Sequence, residues 1–328
     1  MTETNEYPEI KFSEIFRSIQ GEGFKTGHPC LWLRFFLCSL QCNGFGQKDP
    51  TDSSTWDKQW EQIPLKDAER LEDLPVLTKG CDSGYSWAKR FEHLQRTAQA
   101  PEIIDELAGM LPEYEVWSGP SYDFDMIFTG GEPMMKKAQE GIASIVNLWA
   151  ERVKDTHEQF KEDGKIRGPV TISFETNGTQ AFMGVLLEAF EHYNRVLQQY
   201  AGHPLSIILN YSPKLFTVSG EPAKKAIKPD KIVKNVQMLA DYGIVPEFVL
   251  KFVLSPEQRA WDELEEVIDK ISYAAESNVR RAVWIMPVSS TMEEQATYGR
   301  AVAEEAIERG YKVAARIQTL LFDNTMGV

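Results

Sequence analysis

Cysteine, histidine, positive charge and long apolar runs are all scarce in this 328-residue chain, and each scarcity removes a class of protein. Four cysteines in a chain of this length do not make a disulfide framework. In a reducing compartment, cysteines that cluster bind metal or do redox chemistry more often than they cross-link. None of His28, His93, His157, His192 and His203 forms a metal-spaced pair, so each is read as a surface or internally satisfied histidine. No apolar run approaches the roughly 18 residues of a membrane span, and MTETNEYPEI lacks the basic flank and apolar core of a signal peptide. The expectation is a soluble cytoplasmic protein with no membrane partner. Lys plus Arg total 35 against 49 Asp plus Glu, a formal net charge of −14, which argues against a broad grip on phosphate backbones and so against direct nucleic-acid binding. What is present is enough for a sizeable core: 42% of residues are hydrophobic.

After Cys81 the chain alternates short β-rich runs with longer helical patterns. The runs are DFDMIF (123–128), PVTISFE (169–175), LSIILN (205–210), PEFVLKFV (246–253), AVWIMP (282–287) and YKVAARI (311–317). Helical patterns lie near 134–153, 180–200, 229–242, 257–275 and 292–309. Such alternation implies parallel pairing through right-handed crossovers. With LWLRFF (31–36) the strands number seven, which suits an α/β fold of the open or partial β/α-barrel kind, parallel strands inside and helices outside. In barrels of this kind the chemistry sits where the strands end. Here those ends carry Arg34 before Cys38, Thr129-Gly130-Gly131-Glu132-Pro133, Glu175-Thr176-Asn177-Gly178-Thr179, Asn210-Tyr211-Ser212-Pro213-Lys214, and Lys251. There is no internal repeat and no low-complexity tract. Two stretches fall outside the alternation: residues 43–80 and a helical pattern from about 84 to 111.

Cys38 and Cys42 have the spacing of an iron-sulfur Cys-x3-Cys-x2-Cys motif, but Phe45 stands where the third cysteine belongs. The 38 residues from 43 to 80 contain three Gly, three Pro and 13 charged residues, an insert composition, and Gly80-Cys81-Asp82-Ser83 follows directly. Removing the insert restores three cysteines and the usual sequel, so the motif reads as interrupted. Stretching a flexible loop from about three to about forty residues costs roughly 2 kcal/mol of closure entropy, less than several thiolate-iron bonds return. Three thiolates would leave one iron open to a cofactor.

With EIFRSIQGEGFKTGHPCLWLRF (14–35), the split cysteine set, FTGGEP (128–133), FETNGT (174–179), YSPK (211–214) and LKFV (250–253), the chain resembles the radical S-adenosylmethionine superfamily, and within it the 7-carboxy-7-deazaguanine synthases. The resemblance covers most of the chain outside the insert. It implies one radical-SAM partial-barrel domain over 1–328, with 43–80 inserted in the cluster loop. It also implies a lyase of 7-deazaguanine (queuosine-type) biosynthesis. Such an enzyme uses a 4Fe-4S cluster, S-adenosylmethionine and Mg2+ to convert 6-carboxy-5,6,7,8-tetrahydropterin to 7-carboxy-7-deazaguanine and ammonia. A homodimer and an electron donor such as flavodoxin or ferredoxin are expected partners.

Residue by residue, the resemblance makes Cys38, Cys42 and Cys81 the cluster ligands, while Cys30, in an apolar run, is expected to be a packed thiol. Gly130, Gly131 and Glu132 are expected at the methionyl end of the cofactor, with Glu132 facing its ammonium. Glu175, Asn177, Ser212 and Lys214 are expected around its ribose and carboxylate. Gln20, Glu22 and Arg34 are the substrate candidates: amide and carboxylate suit a pterin edge, and the guanidinium suits its 6-carboxylate. A surface ion pair is the plainer reading of Arg34, and a structural role the plainer reading of Lys251. Ser83, where the family usually has Thr, is the expected Mg2+ ligand. Asp82 is read as an indirect helper or a turn cap. Leu320 departs from the family, which usually has His there. Two rivals remain at this stage: a glycyl-radical-enzyme activase of the same superfamily, and an inactive homologue whose cysteines hold structural zinc while the insert binds a partner.

Overall fold

The computed structural model describes residues 7–66, 68–159 and 164–322. The strands are β1 (Ile10–Ile19), β2 (Pro29–Phe35), β3 (Arg96–Ala98), β4 (Ser118–Gly119), β5 (Tyr122–Asp123), β6 (Asp125–Gly130), β7 (Thr171–Thr176), β8 (Ser206–Tyr211), β9 (Glu247–Leu254), β10 (Val283–Pro287) and β11 (Lys312–Val313). The helices are α1 (Gln59–Gln62), α2 (Ala100–Gly109), α3 (Lys136–Gln159), α4 (Gly184–Val196), α5 (Phe216–Ser219), α6 (Ala223–Ala226), α7 (Pro229–Asp241), α8 (Gln258–Ala274), α9 (Met292–Glu308) and α10 (Ile317–Phe322).

All but β4 and β5, which form a separate two-stranded ribbon, join one sheet in the order β11-β10-β9-β8-β7-β6-β2-β1-β3. Every pairing from β2 to β11 is parallel, and β1 and β3 add antiparallel to the β2 edge. The seven strands read from the alternation are therefore all present, the last one cut to Lys312–Val313. Among the described residues β3 and β11 do not pair, so the sheet stays open. The fold is a mixed α/β architecture with a mostly parallel sheet and surrounding helices.

Period two sets the two faces of the sheet. Leu31, Leu33 and Phe35 of β2, Ile172 and Phe174 of β7, and Leu250, Phe252 and Leu254 of β9 belong to the main core, where they meet the buried stripes of α3, α4 and α8. Phe174 packs edge-on against Phe190 at 6.0 Å. Their alternates, Trp32 and Arg34, Glu175, and Lys251 and Val253, line a cavity on the inner face. Among the described residues no helix is long and apolar enough to cross a membrane.

The stretch from 84 to 111 is not one helix. Short 3-10 turns at Gly84–Ser86 and Lys89–Leu94 lead into β3, and only Ala100–Gly109 is α-helical. Pro101 sits in the first turn of α2 and the Gln99 N–H donates to the Glu102 carboxylate at 2.7 Å, so a start signal lies in the middle of the apparent pattern.

The insert is ordered. Ile63, Leu71, Leu74 and Leu77 build a second core with Tyr85, Trp87, Phe91 and Leu94, and Trp60 stands edge-on to Trp87 at 5.1 Å. Its two ends meet: the Gly80 N–H donates to the Phe45 carbonyl at 2.8 Å, and the Gln59 side-chain oxygen accepts from the Thr78 and Lys79 amides at 2.9 and 3.0 Å. Cys81 is thus returned to the place where the chain left Cys42. Cutting out 43–80 would uncover Tyr85, Trp87, Phe91 and Leu94, so excision is not a neutral shortening.

Candidate active site

Cys38, Cys42 and Cys81 share one wall of a cavity of about 630 Å3. Cys42 forms a small buried cluster with Leu40 and Ala226, and Cys38 and Cys81 pack against it. Two left-handed residues shape the loop, Leu37 at φ +82° and Cys42 at φ +54°, conformations that a non-glycine residue adopts only when its surroundings enforce them. Cys38 Sγ accepts from the Leu40 N–H at 3.4 Å. Burial pushes all three thiols up, Cys38 to about 12, Cys81 to about 11 and Cys42 well above its usual value, so each is protonated until a metal displaces the proton.

The donor set fits a cluster better than a single ion. One tetrahedral zinc with bonds of about 2.3 Å holds its sulfurs about 3.8 Å apart. Among the described residues the one gathered triad within 4.8 Å is instead His28, Asp123 and Asp125. That triad lies at the opposite end of the strands, and the Lys25 ammonium 3.0 Å from Asp125 already balances its buried carboxylate. Cys30 lies at that end too, paired in register with Asp125; it is fully buried and does not line the cavity.

Gly130 and Gly131 allow the Thr129–Pro133 turn to lie against the cysteine loop. The Gly131 N–H donates to the Phe35 carbonyl at 3.1 Å and the Glu132 N–H to the Leu37 carbonyl at 2.9 Å. A Cβ on Gly131 would overlap the Leu37 carbonyl and sit 2.9 Å from Cys38 Cβ. Gly131→Ala is therefore expected to displace the cysteine loop and to cost about 1–3 kcal/mol. Thermal melts and iron content after anaerobic reconstitution would check it.

Glu132 departs from its expected place. It is fully buried, it does not line the cavity, and its carboxylate accepts from Thr176 Oγ1 at 2.7 Å, the Asn177 N–H at 2.8 Å and the Met134 N–H at 2.9 Å. The carboxylate expected to face an ammonium instead ties the β6 and β7 loops together. Asn177, so placed, donates from Nδ2 to Ser39 Oγ at 3.1 Å and approaches Cys38 Sγ at 3.7 Å. Lys214 donates to Ser212 Oγ at 2.8 Å on the β8 loop.

Of the substrate candidates, Gln20 and Glu22 join Glu175 and Lys251 in one network on the cavity wall. Lys251 Nζ bridges Glu22 at 2.5 Å and Glu175 at 2.8 Å, and Gln20 Nε2 donates to Glu175 at 3.0 Å. Glu22 also accepts from Arg316 Nε at 3.1 Å and Gln318 Nε2 at 2.9 Å. Burial acts to raise the Glu22 carboxyl, but Lys251 and Arg316 outweigh it and hold the group down at about 2. Burial raises Glu175, which has Lys251 but lacks the arginine, above the usual carboxylate range. Of the two carboxylates on one ammonium, Glu175 takes a proton first.

Arg34 donates to its cross-strand partner Glu14 at 2.5 Å and to Ser83 Oγ at 3.3 Å, and its guanidinium lies 5.6 Å from the Phe16 ring. It is built into the cavity wall. Asp82 is ion-paired with Arg316 at 2.8 Å.

Three residues of this network were not found from sequence. Glu14 required β1 to be recognised as a strand beside β2. Arg316 and Gln318 follow the short final strand, and reading that strand end as the others were read would have found them. Leu320 is exposed and does not line the cavity, and residues 323–328 of the RIQTLLFDNTMGV ending lie outside the described residues.

Fold and site together describe an open α/β sheet that carries three convergent thiols and a buried acid-base network at the ends of its parallel strands. No family model matches the chain. Over 174 residues it is 51% identical to the 7-carboxy-7-deazaguanine synthase of Haemophilus influenzae, covering 53% of this chain and 48% of that protein. Shorter matches of 52% over 33 residues and 46% over 37 residues join it to proteins of the same name from Bacteroides thetaiotaomicron and Neisseria meningitidis serogroup B, covering 10% and 11% of this chain and 18% of each relative. The chain thus spans about half the length of the first of these relatives and under a fifth of the others. The crystal structure of QueE from Escherichia coli aligns over 94% of this chain and 93% of that one at a TM-score of 0.46 and 15% identity, a likeness too low to add to the topology itself.

Proposed function

We propose that this chain is a radical S-adenosylmethionine enzyme that converts 6-carboxy-5,6,7,8-tetrahydropterin to 7-carboxy-7-deazaguanine with loss of ammonia. The observation that carries the reading is the convergence of Cys38, Cys42 and Cys81, across a 38-residue insert, on the cavity that also holds Gln20, Glu22 and Arg34.

Cys38, Cys42 and Cys81 would hold a 4Fe-4S cluster. The backbone at Gly130 and Gly131, with Glu175, Asn177, Ser212 and Lys214, would hold S-adenosylmethionine, while Glu132 fixes the two loops that present these groups. Ser83 would supply one oxygen to Mg2+, an ion that keeps waters and takes few protein ligands. When bound, cluster and S-adenosylmethionine supply the hydrogen-abstracting radical.

The chain's own residues position the substrate and exclude water. Arg34, held by Glu14 against Phe16, presents its guanidinium to the substrate carboxylate. Gln20 and Glu22 supply amide and carboxylate groups to the pterin edge, with Lys251 and Arg316 keeping Glu22 ionised. Stacked Phe16 and Trp32, 5.6 Å apart, give an apolar wall. The protein would work in the cytoplasm as a homodimer, with flavodoxin or ferredoxin as reductant and no nucleic-acid or membrane partner, its product entering queuosine-type biosynthesis. In this reading 1–328 is one catalytic domain and 43–80 an elaboration of its cluster loop.

Anaerobic reconstitution tests the class. Four irons per chain and reductive cleavage of S-adenosylmethionine are expected. A colourless protein that retains zinc would favour the scaffold alternative, and cleavage coupled only to a partner protein would favour an activase. Arg34→Lys tests the substrate: it is expected to bind S-adenosylmethionine as wild type does but to lose pterin affinity about tenfold or more, since a fork becomes a point charge. Unchanged pterin binding by calorimetry would remove Arg34 from the site.

A further inference from the structure

Glu221 is 5% exposed, yet no step above uses it. A single oxygen of its carboxylate, Oε1, accepts from the Gln41 N–H at 2.5 Å and the Cys42 N–H at 2.8 Å. The second oxygen accepts from Lys225 Nζ at 3.2 Å, a side chain half open to solvent. The two amides are those of the turn in which Cys42 adopts its left-handed conformation. The loop carrying Glu221 is itself fixed. The Glu221 N–H donates to Ser219 Oγ at 3.2 Å, and the Gly44 N–H to the Ser219 carbonyl at 2.9 Å.

Contact between the two loops is backbone against backbone, since a Cβ on Gly44 would come 2.6 Å from the Gly220 nitrogen. The insert closes over the far side, where a Cβ on Gly220 would strike the Trp56 ring. Trp56 Nε1 donates to the Asp49 carbonyl at 3.2 Å, and Trp60 Nε1 to Asn43 Oδ1 at 2.9 Å. The 215–221 segment is thus held between the cysteine loop and the insert.

We propose that Glu221 is the positioning residue of the cluster loop: its carboxylate holds Cys42 in the ligating conformation, and the insert braces the turn from which it acts. This rests on the cluster reading above and assigns the insert a role within it. Two consequences follow from the chemistry of one carboxylate oxygen. Both amides are occupied, so neither is free to donate to cluster sulfur. In addition, a buried negative charge only partly offset by Lys225 stands next to a ligand. Hydrogen bonds to sulfur and local charge are both levers on cluster potential, and each of these features lowers it.

Glu221→Gln and Glu221→Ala separate the two effects. A glutamine oxygen can accept both amide protons without the charge, whereas alanine accepts neither. In the apoprotein, hydrogen exchange at Gln41 and Cys42 is expected to accelerate about tenfold or more in Glu221→Ala and to stay near wild type in Glu221→Gln. In the reconstituted protein, Glu221→Ala is expected to lose iron to a chelator faster than wild type. Glu221→Gln should keep its iron but reduce at a more positive potential. Wild-type exchange at both amides in Glu221→Ala, or wild-type potential in Glu221→Gln together with wild-type iron loss in Glu221→Ala, would overturn the assignment. If wild type itself assembles no four-iron cluster, the proposed function fails and the cluster role fails with it; the exchange comparison then decides separately whether Glu221 holds the loop.

Discussion

Cys81→Ala is expected to abolish the stable four-iron cluster as completely as Cys38→Ala or Cys42→Ala, while Cys30→Ala keeps it. The three sensitive cysteines border one cavity. Cys30 is buried at the far end of β2, where its thiol donates to the His28 carbonyl at 3.1 Å. The roughly 2 kcal/mol closure cost of a forty-residue flexible loop overstates the case against a split motif. Phe45 and Gly80 are joined by a hydrogen bond and the residues between them pack in a core shared with Tyr85, Trp87, Phe91 and Leu94, so most of the ordering is achieved by that packing. Iron content and electron paramagnetic resonance after reduction read the series directly. A normal cluster in anaerobically purified Cys81→Ala would refute the split-motif reading.

Lys251→Met is expected to cost about 3–5 kcal/mol of stability, the usual consequence of removing one partner from a buried ionic group. Its side chain is 5% exposed and its ammonium answers two carboxylates. Without it Glu22 keeps Arg316 and Gln318, but Glu175 keeps only Gln20. Burial already raises Glu175, and losing Lys251 raises it further, so the folded variant holds a proton that the unfolded chain releases. Stability of the variant therefore falls as pH rises from the usual carboxylate range toward the raised value of Glu175, and its deficit against wild type narrows toward pH 5. Denaturant titrations at pH 5 and pH 8 would measure this. A deficit equal at both would mean that lost packing, not an uncompensated charge, is responsible.

The parallel strands and their chemistry-bearing ends were legible because two signals agree there: β-branched and aromatic runs mark each strand, and polar residues unlike the run mark its end. Lys251 is the exception: read as a strand end, it lies inside β9, a charged residue at an inward position among apolar neighbours. Antiparallel β1 escaped because it precedes the alternation and pairs by hairpin-like return to β2. With it went Glu14, whose partnership with Arg34 is a matter of cross-strand register. The insert was legible as an insert but not as a folded unit: Ile63, Leu71, Leu74 and Leu77 are too widely spaced to declare a core until Tyr85, Trp87, Phe91 and Leu94 meet them. Glu132 illustrates a different limit. Its motif marks a site correctly, but which way a carboxylate turns depends on donors 44 and 45 residues further on, at Thr176 and Asn177.

Anaerobic incubation of the reconstituted protein with reductant, S-adenosylmethionine, Mg2+ and 6-carboxy-5,6,7,8-tetrahydropterin, with products identified by mass spectrometry, tests the central claim most directly. The account requires 7-carboxy-7-deazaguanine and ammonia in equal amounts, dependent on the cluster and lost in Cys81→Ala. A fully loaded cluster that cleaves S-adenosylmethionine but leaves the pterin intact would contradict it.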